Sequence, residues 1–184
     1  MSTTRYFQPL FLEDRSGSLT GSDFVDVHDR MKLSYRCTRR DTLGSRFIIL
    51  ELSSPRDDAF TRAVVMLDFG GKGELGTVSF GAGCVKMEKY LVNVGGGSAY
   101  RRTFLGQNGK TYTWSYRTHE DHEWTCVDAS RNVVSFYNLK VPGEPPYANS
   151  SGCMLTVEEA YADMACEFLA TCMIMRHIVA HNIE

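Results

Sequence analysis

Thr156-Val-Glu-Glu-Ala-Tyr-Ala-Asp-Met-Ala-Cys-Glu-Phe-Leu-Ala-Thr-Cys-Met-Ile-Met-Arg-His-Ile-Val-Ala180 is the stretch on which the fold turns. Thr156 to Glu159 spell a capping box, in which a hydroxyl caps one amide and a glutamate three residues on reaches back. The pattern predicts a helix from about Val157 to about Ala180, roughly 36 Å long at 1.5 Å per residue. Glu159, Asp163, Glu167 and Thr171 recur at every fourth position and form one narrow polar stripe. Nearly everything else is apolar: Met164, Ala165, Cys166, Phe168, Leu169, Cys172 to Met175, Ile178 and Val179. A helix apolar over most of its circumference is buried on most sides. A helix lying on the outside of a sheet would show a wider polar face.

Upstream, the period changes to that of strands. Residues 5–12, 32–38, 46–52 and 60–69 are strand-like runs, and Pro9 puts the first at an edge or breaks it. The runs 46–52 and 60–69 carry apolar residues at both parities, which suits strands covered on both faces. Between them, Ser53 to Asp58 is a turn cluster. A glycine-dense middle, Gly70 to Gly97, fits turns between short strands. Tyr100-Arg-Arg-Thr-Phe-Leu leads through Gly106-Gln-Asn-Gly109 into Lys110-Thr-Tyr-Thr-Trp-Ser-Tyr-Arg117. Asn108-Gly109 supplies the positive φ angles of a tight hairpin turn. Tyr112, Trp114 and Tyr116 then alternate with polar residues, the period of a strand with one aromatic face. Trp124–Asp128 and Asn132–Leu139 repeat the pattern.

About ten to twelve short strands thus precede one buried helix. The expected architecture is mainly β with one long C-terminal helix (α+β): a closed antiparallel barrel of about twelve strands around that helix. A sheet backed by one helix is the alternative. The whole chain, 1–184, reads as one domain.

The run Tyr100 to Trp114, with Arg102-x-Phe104 followed by Gly109-x-x-Tyr112-x-Trp114, resembles a segment of an uncharacterised fungal domain family. Trp124–Tyr137 is similar to its next strand pair, and the terminal apolar helix to its ending. That family is grouped with the tubby-like superfamily, which includes the LURP-one-related proteins and the phospholipid scramblases. The resemblance implies a twelve-stranded barrel around a buried C-terminal helix and brings no catalytic signature. It is best over about residues 98–180, and it makes an anionic lipid headgroup the implied ligand.

Hydrophobic residues make up 43 % of the 184 and charged residues 23 %, which excludes a disordered, collagenous or coiled-coil chain. A formal net charge of -2 argues against a nucleic-acid binder, which would usually be basic. The start of the chain has no secretory pattern, and Glu167, Arg176 and His177 interrupt the most apolar stretch, so no transmembrane segment is expected. Six widely spaced cysteines without a C-x-x-C read as reduced thiols of a cytoplasmic protein.

No cofactor is expected. Gly71-Lys-Gly-Glu-Leu-Gly76 spells G-x-G-x-x-G, but Thr77-Val-Ser-Phe80 after it is strand-like, and a dinucleotide needs a helix there. Thr118-His-Glu-Asp-His-Glu123 reads as a solvated turn rather than a metal loop. His177-Ile-Val-Ala-His181 has the i,i+4 spacing of zinc ligands but lacks the following glutamate of a zincin. It reads as a frayed helix end, where a cationic histidine suits the dipole.

The strongest charge feature is Arg36, Arg39, Arg40 and Arg46, with Arg101 and Arg102 further on. Arginine forks suit phosphate, so these six are the candidate ligand-binding residues. The expected function is a non-enzymatic binding or scaffold module, peripheral to a membrane if the ligand is an anionic phospholipid headgroup. The alternatives are a protein–protein interaction module and a small-molecule-binding or hydrolytic β-barrel.

Overall fold

The computed structural model describes residues 8–52, 61–71, 74–96 and 98–183. In chain order the strands are β1 (Leu10–Asp14), β2 (Gly21–Asp26), β3 (Lys32–Asp41), β4 (Gly44–Leu52), β5 (Thr61–Gly70), β6 (Thr77–Phe80) and β7 (Gly83–Lys86). A single helical turn, α1 (Met87–Tyr90), leads to β8 (Val92–Gly95), β9 (Ser98–Leu105), β10 (Thr111–Tyr116), β11 (Trp124–Asp128), β12 (Val133–Asn138) and β13 (Cys153–Val157). A 3-10 segment, Glu159–Met164, precedes the helix α2 (Ala165–His181). The first residues of the predicted 5–12 run and the turn cluster at 53–58 lie outside the described residues.

The strands form one 13-stranded sheet in the order β7-β6-β5-β4-β3-β2-β1-β13-β12-β11-β10-β9-β8. Strands consecutive in sequence pair with one another except β7 and β8, which end the order, and β1 pairs with β13 to join the two halves: Leu10 faces Val157 and Leu12 faces Leu155. The predicted hairpin is β9–β10. Gly106 N donates to Lys110 O at 2.8 Å, and Gly109 holds φ +75, the left-handed conformation its turn requires. Tyr112 and Trp114 are fully buried.

The mainly β architecture with a buried C-terminal helix is what the sequence predicts; the closed barrel is not observed. Among the described residues no ladder joins β7 to β8, so the sheet is curled but open. The physical reason is α1. It carries the chain across the gap as a turn of helix and packs against β6 and β7 on one side and β8 and β9 on the other. Met87 N donates to Gly76 O at 2.9 Å, and Met87 and Leu91 are fully buried.

The curl of the sheet is visible from the helix. Glu167 to Met175 are all buried, without a break. Consecutive helical residues point about 100° apart, so nine in a row face every direction. Accordingly α2 touches β4 and β5 near one end of the strand order, β13 at its middle and β9 near the other end. Phe168 meets the rings of Phe104, Tyr112 and Trp114 edge-on.

Three other expectations change. The capping box does not form: Thr156 and Val157 belong to β13, whose pairing with β1 and β12 outcompetes a helix start. The stripe at Glu167 and Thr171 is buried too. Trp114 Nε1 donates to Thr171 Oγ1 at 2.8 Å. Glu167 accepts from Tyr90 Oη and from Gln107 N, the latter at 3.0 Å, so the carboxylate ties α1 and the β9–β10 turn to the helix. Finally, β5 is covered on one face only: Val65, Leu67 and Phe69 are buried, while Met66 is 39 % exposed.

Candidate functional site

The distal half of the β3–β4 ribbon leaves the core. Leu33 to Tyr35 are buried, but Arg36 to Asp41 are all exposed. Thr42 and Leu43 make the turn, with Leu43 N donating to Asp41 Oδ1 at 2.8 Å. Gly44 follows at φ +146, where a Cβ would lie 2.1 Å from Phe69 O, so only glycine lets β4 start this close to β5. Leu43, at the tip, is 80 % exposed.

This ribbon brings Arg36, Arg39, Arg40 and Arg46 together, and acids meet three of them. Arg39 stands directly opposite Arg46, a like-charge pairing that would be unfavourable alone. Asp68 on β5 resolves it: Arg46 Nε donates to Asp68 Oδ2 at 2.9 Å and Arg39 Nη2 to Asp68 Oδ1 at 3.1 Å. Arg39 Nε also lies 3.4 Å from Asp41 Oδ2. Arg36 Nη2 pairs with Asp23 Oδ1 at 3.0 Å, and Lys32 Nζ with Asp23 Oδ2 at 3.2 Å. Burial works to raise the Asp23 carboxyl, but the Ser34 hydroxyl, Lys32 and Arg36 outweigh it and hold the group below its ordinary value. Arg40 differs, having no ion-pair partner among the described residues.

Arg101 and Arg102 are not part of this ribbon; they sit on β9. Arg101 is exposed. Arg102 is 3 % exposed, which removes it as a surface ligand residue. Its strand parity is the reason: it lies opposite Trp114, on the core side, and its Nη1 donates to Leu91 O at 3.1 Å.

Behind the ribbon tip is a cavity of about 370 Å³. Arg40, Asp41, Thr42 and Ser45 of the ribbon line it together with His177 and His181 of α2. Thr20 and the rings of Phe47 and Phe69 complete the wall. His177 is not at a frayed end. Its ring stacks on Phe69 at 3.8 Å and lies 4.3 Å from the ring of His181, and its Nε2 is buried with no hydrogen-bond partner. Burial, then the neighbouring His181, pushes its pKa from 6.5 down to about 4, so the ring is neutral at pH 7. The helix ends just beyond, where Asn182 at φ 50 lets backbone amides reach the carbonyls of Ile178 and Val179.

Chemically, the arrangement offers one arginine fork, three hydroxyls and an imidazole pair in a recess. Sequence reasoning reached Arg40 from charge density alone. The i,i+4 spacing of the histidines was the only signal of theirs, and it says nothing about Phe69. The other histidine pair is held locally: His122 stacks on Phe136 at 4.0 Å, and its Nδ1 lies 3.1 Å from Thr125 Oγ1. Among the described residues no three His, Cys, Asp or Glu side chains gather as a cation site requires. Gly71 and Gly76 lie between β5 and β6, two strands, and not at a helix start. Among the described residues no helix is long and apolar enough to cross a membrane. Comparisons of the chain with protein-family models, with curated proteins and with solved structures each find no match.

Proposed function

We propose that this chain is a non-enzymatic binding or scaffold module that engages an anionic membrane surface through the distal half of the β3–β4 ribbon. The observation that carries the reading is the pairing of Arg40, unneutralised among the described residues, with Leu43, 80 % exposed two residues beyond Asp41 at the same tip. An exposed leucine beside a cation suits the boundary between headgroups and acyl chains. A cation near an anionic leaflet contributes about 1 kcal/mol, decaying within a Debye length. The core supports a module of this kind, since α2 occupies the space in which a barrel would hold a substrate. The resemblance of residues 98–180 to the tubby-like superfamily supports it as well, for the sheet wraps a C-terminal helix. The reading places the protein at a cytoplasmic surface, where its cysteines stay reduced thiols.

Co-sedimentation with phosphatidylcholine vesicles, with and without phosphatidylserine, tests the reading. Binding should require the anionic lipid and weaken steeply with salt. Arg40→Glu and Leu43→Asp should each weaken it several-fold, whereas Arg101→Glu should leave it nearly unchanged. No binding at low salt would remove the membrane reading. A protein partner would then take its place, favoured by one observation: β8 is an edge strand whose Val92 and Val94 are 49 % and 44 % exposed, a template for an added strand.

A further inference from the structure

We propose that the cavity between the β3–β4 tip and the end of α2 is a proton-coupled oxyanion site, in which Arg40 holds a phosphate-type dianion and the His177–His181 pair takes up a proton as that anion enters. The inference rests on the reading above only in giving Arg40 an anionic ligand. It adds where that group sits and what regulates its binding.

Size and chemistry come first. A recess of about 370 Å³ accommodates a tetrahedral oxyanion with room for the group that carries it. Arg40 presents a planar fork that matches two of its oxygens. Thr42 and Ser45 line the same recess, as does Thr20, whose Oγ1 lies 2.7 Å from Ser18 Oγ. The acid in that wall, Asp41, is already engaged: Leu43 N and Arg39 Nε lie 2.8 Å and 3.4 Å from its oxygens. The end of α2 would repel an anion through its free carbonyls. Here those of Ile178 and Val179 accept backbone amides instead.

Charge then decides the coupling. Among the described residues, the charged and titratable groups around the imidazole pair are few. β3 contributes Arg40 and Asp41; β5 contributes Phe69 and Gly70, which carry no charge, and Glu74 packs behind Gly70. The segment before β2 contributes Leu19 and Thr20, also uncharged. On α2 itself Arg176 turns the other way, toward Asp14 and Gly17 O. With the His177 ring neutral, Arg40 offers a single positive charge in the described lining, and a dianion entering the recess lacks a second. A proton on the histidine pair supplies it. His177 Nε2 is buried without a partner, and its ring is kept neutral by burial and by its neighbour, both of which an adjacent dianion opposes. By linkage, an anion that draws a proton in binds more tightly as pH falls, by at most about tenfold per pH unit for one proton.

Isothermal titration of the full chain with sulfate, a dianion throughout the working range, measures this directly. Affinity should rise several-fold between about pH 7.5 and about pH 5.5, with buffer-dependent heats reporting about one proton taken up. His177→Gln should keep the binding and flatten its pH dependence. Arg40→Gln should lose binding at every pH with an unchanged melting temperature. Sulfate binding that ignores pH, or that survives Arg40→Gln, would overturn the proposal. Vesicles containing phosphatidic acid separate the sources of the phosphate. Arg40-dependent vesicle binding that sulfate cannot displace would overturn the cavity site while leaving the membrane reading intact. Sulfate binding as expected without any vesicle binding would support the site, make a soluble phosphate compound its ligand, and defeat the membrane reading.

Discussion

Single residues in this protein change their meaning with their surroundings, and the helix shows it best. Thr171 and Glu167 look like solvent-facing members of a stripe, yet Thr171 accepts the Trp114 indole N–H and Glu167 accepts Tyr90 Oη. A polar side chain at regular spacing is written the same way whether water or another residue satisfies it, so the sequence alone leaves them indistinguishable. The same holds for the arginines. Arg101 and Arg102 are adjacent in sequence, but strand parity sends one outward and the other into the core. His177 allows a test at this scale. Its folded pKa lies near 4 and its ordinary value at 6.5, so in that window the unfolded chain binds a proton that the folded chain does not. Its contribution to stability therefore rises with pH between those values and is lost on acidification through them. Asp23 and Asp26, also held below their ordinary value, lose stability only at lower pH. The melting-temperature difference between wild type and His177→Phe, measured from about pH 7 to about pH 4, should shift in favour of the variant as pH falls. A difference that stays constant would show that His177 is not buried neutral.

At the scale of elements, periodicity was most informative where one face is dry. The β9–β10 hairpin was legible because Asn108-Gly109 and the aromatic alternation agree, and the burial of Tyr112 and Trp114 follows that alternation. The elements that sequence reading missed are short or unpatterned: β2, α1 and β13. Thr156-Val-Glu-Glu159 has the letters of a helix start, but long-range pairing with Leu10 and Phe11 of β1 claims the first two residues. Local capping contributes about 1 kcal/mol, less than two buried strand ladders with Leu155 and Val157 in the core. The helix itself is where a substitution should cost most. Leu169 is fully buried in the first half of α2, so Leu169→Ala should destabilise the protein by about 2–5 kcal/mol through lost transfer energy and the cavity left behind. Urea denaturation reads this as a lower midpoint at an unchanged slope. An unchanged midpoint would contradict the central helix.

For the molecule as a whole, thiol reactivity reports the packing. Cys37 and Cys84 are exposed, Cys166 is partly covered, and Cys126, Cys153 and Cys172 are buried. Burial raises the thiols of Cys126 and Cys172 far above their ordinary value, so they are poor nucleophiles in the folded state. A thiol reagent should label Cys37 and Cys84 rapidly in the native protein and all six after denaturation without reductant. Rapid native labelling of Cys172 would mean that α2 is accessible. The open seam between β7 and β8 is also a property of the whole. Two four-residue strands separated by a helical turn end as edges, and α1 with its Tyr90–Glu167 contact fills the gap between them.

The amino-acid sequence by itself determined the class of the fold, because strand alternation and an all-round apolar helix are local periodicities that burial imposes on composition. It also determined that basic residues gather on one ribbon, since Arg36 to Arg46 are close along the chain. Only the tertiary structure decided which of these arginines the described acids neutralise. Asp23 and Asp68 come from β2 and β5, and only the ladders that carry them set which cations they meet. It alone decided that the sheet stays open and that a histidine pair at the helix end lines one recess with Arg40. Those contacts join residues more than a hundred positions apart, and no periodicity in a chain encodes a meeting between two of its distant segments.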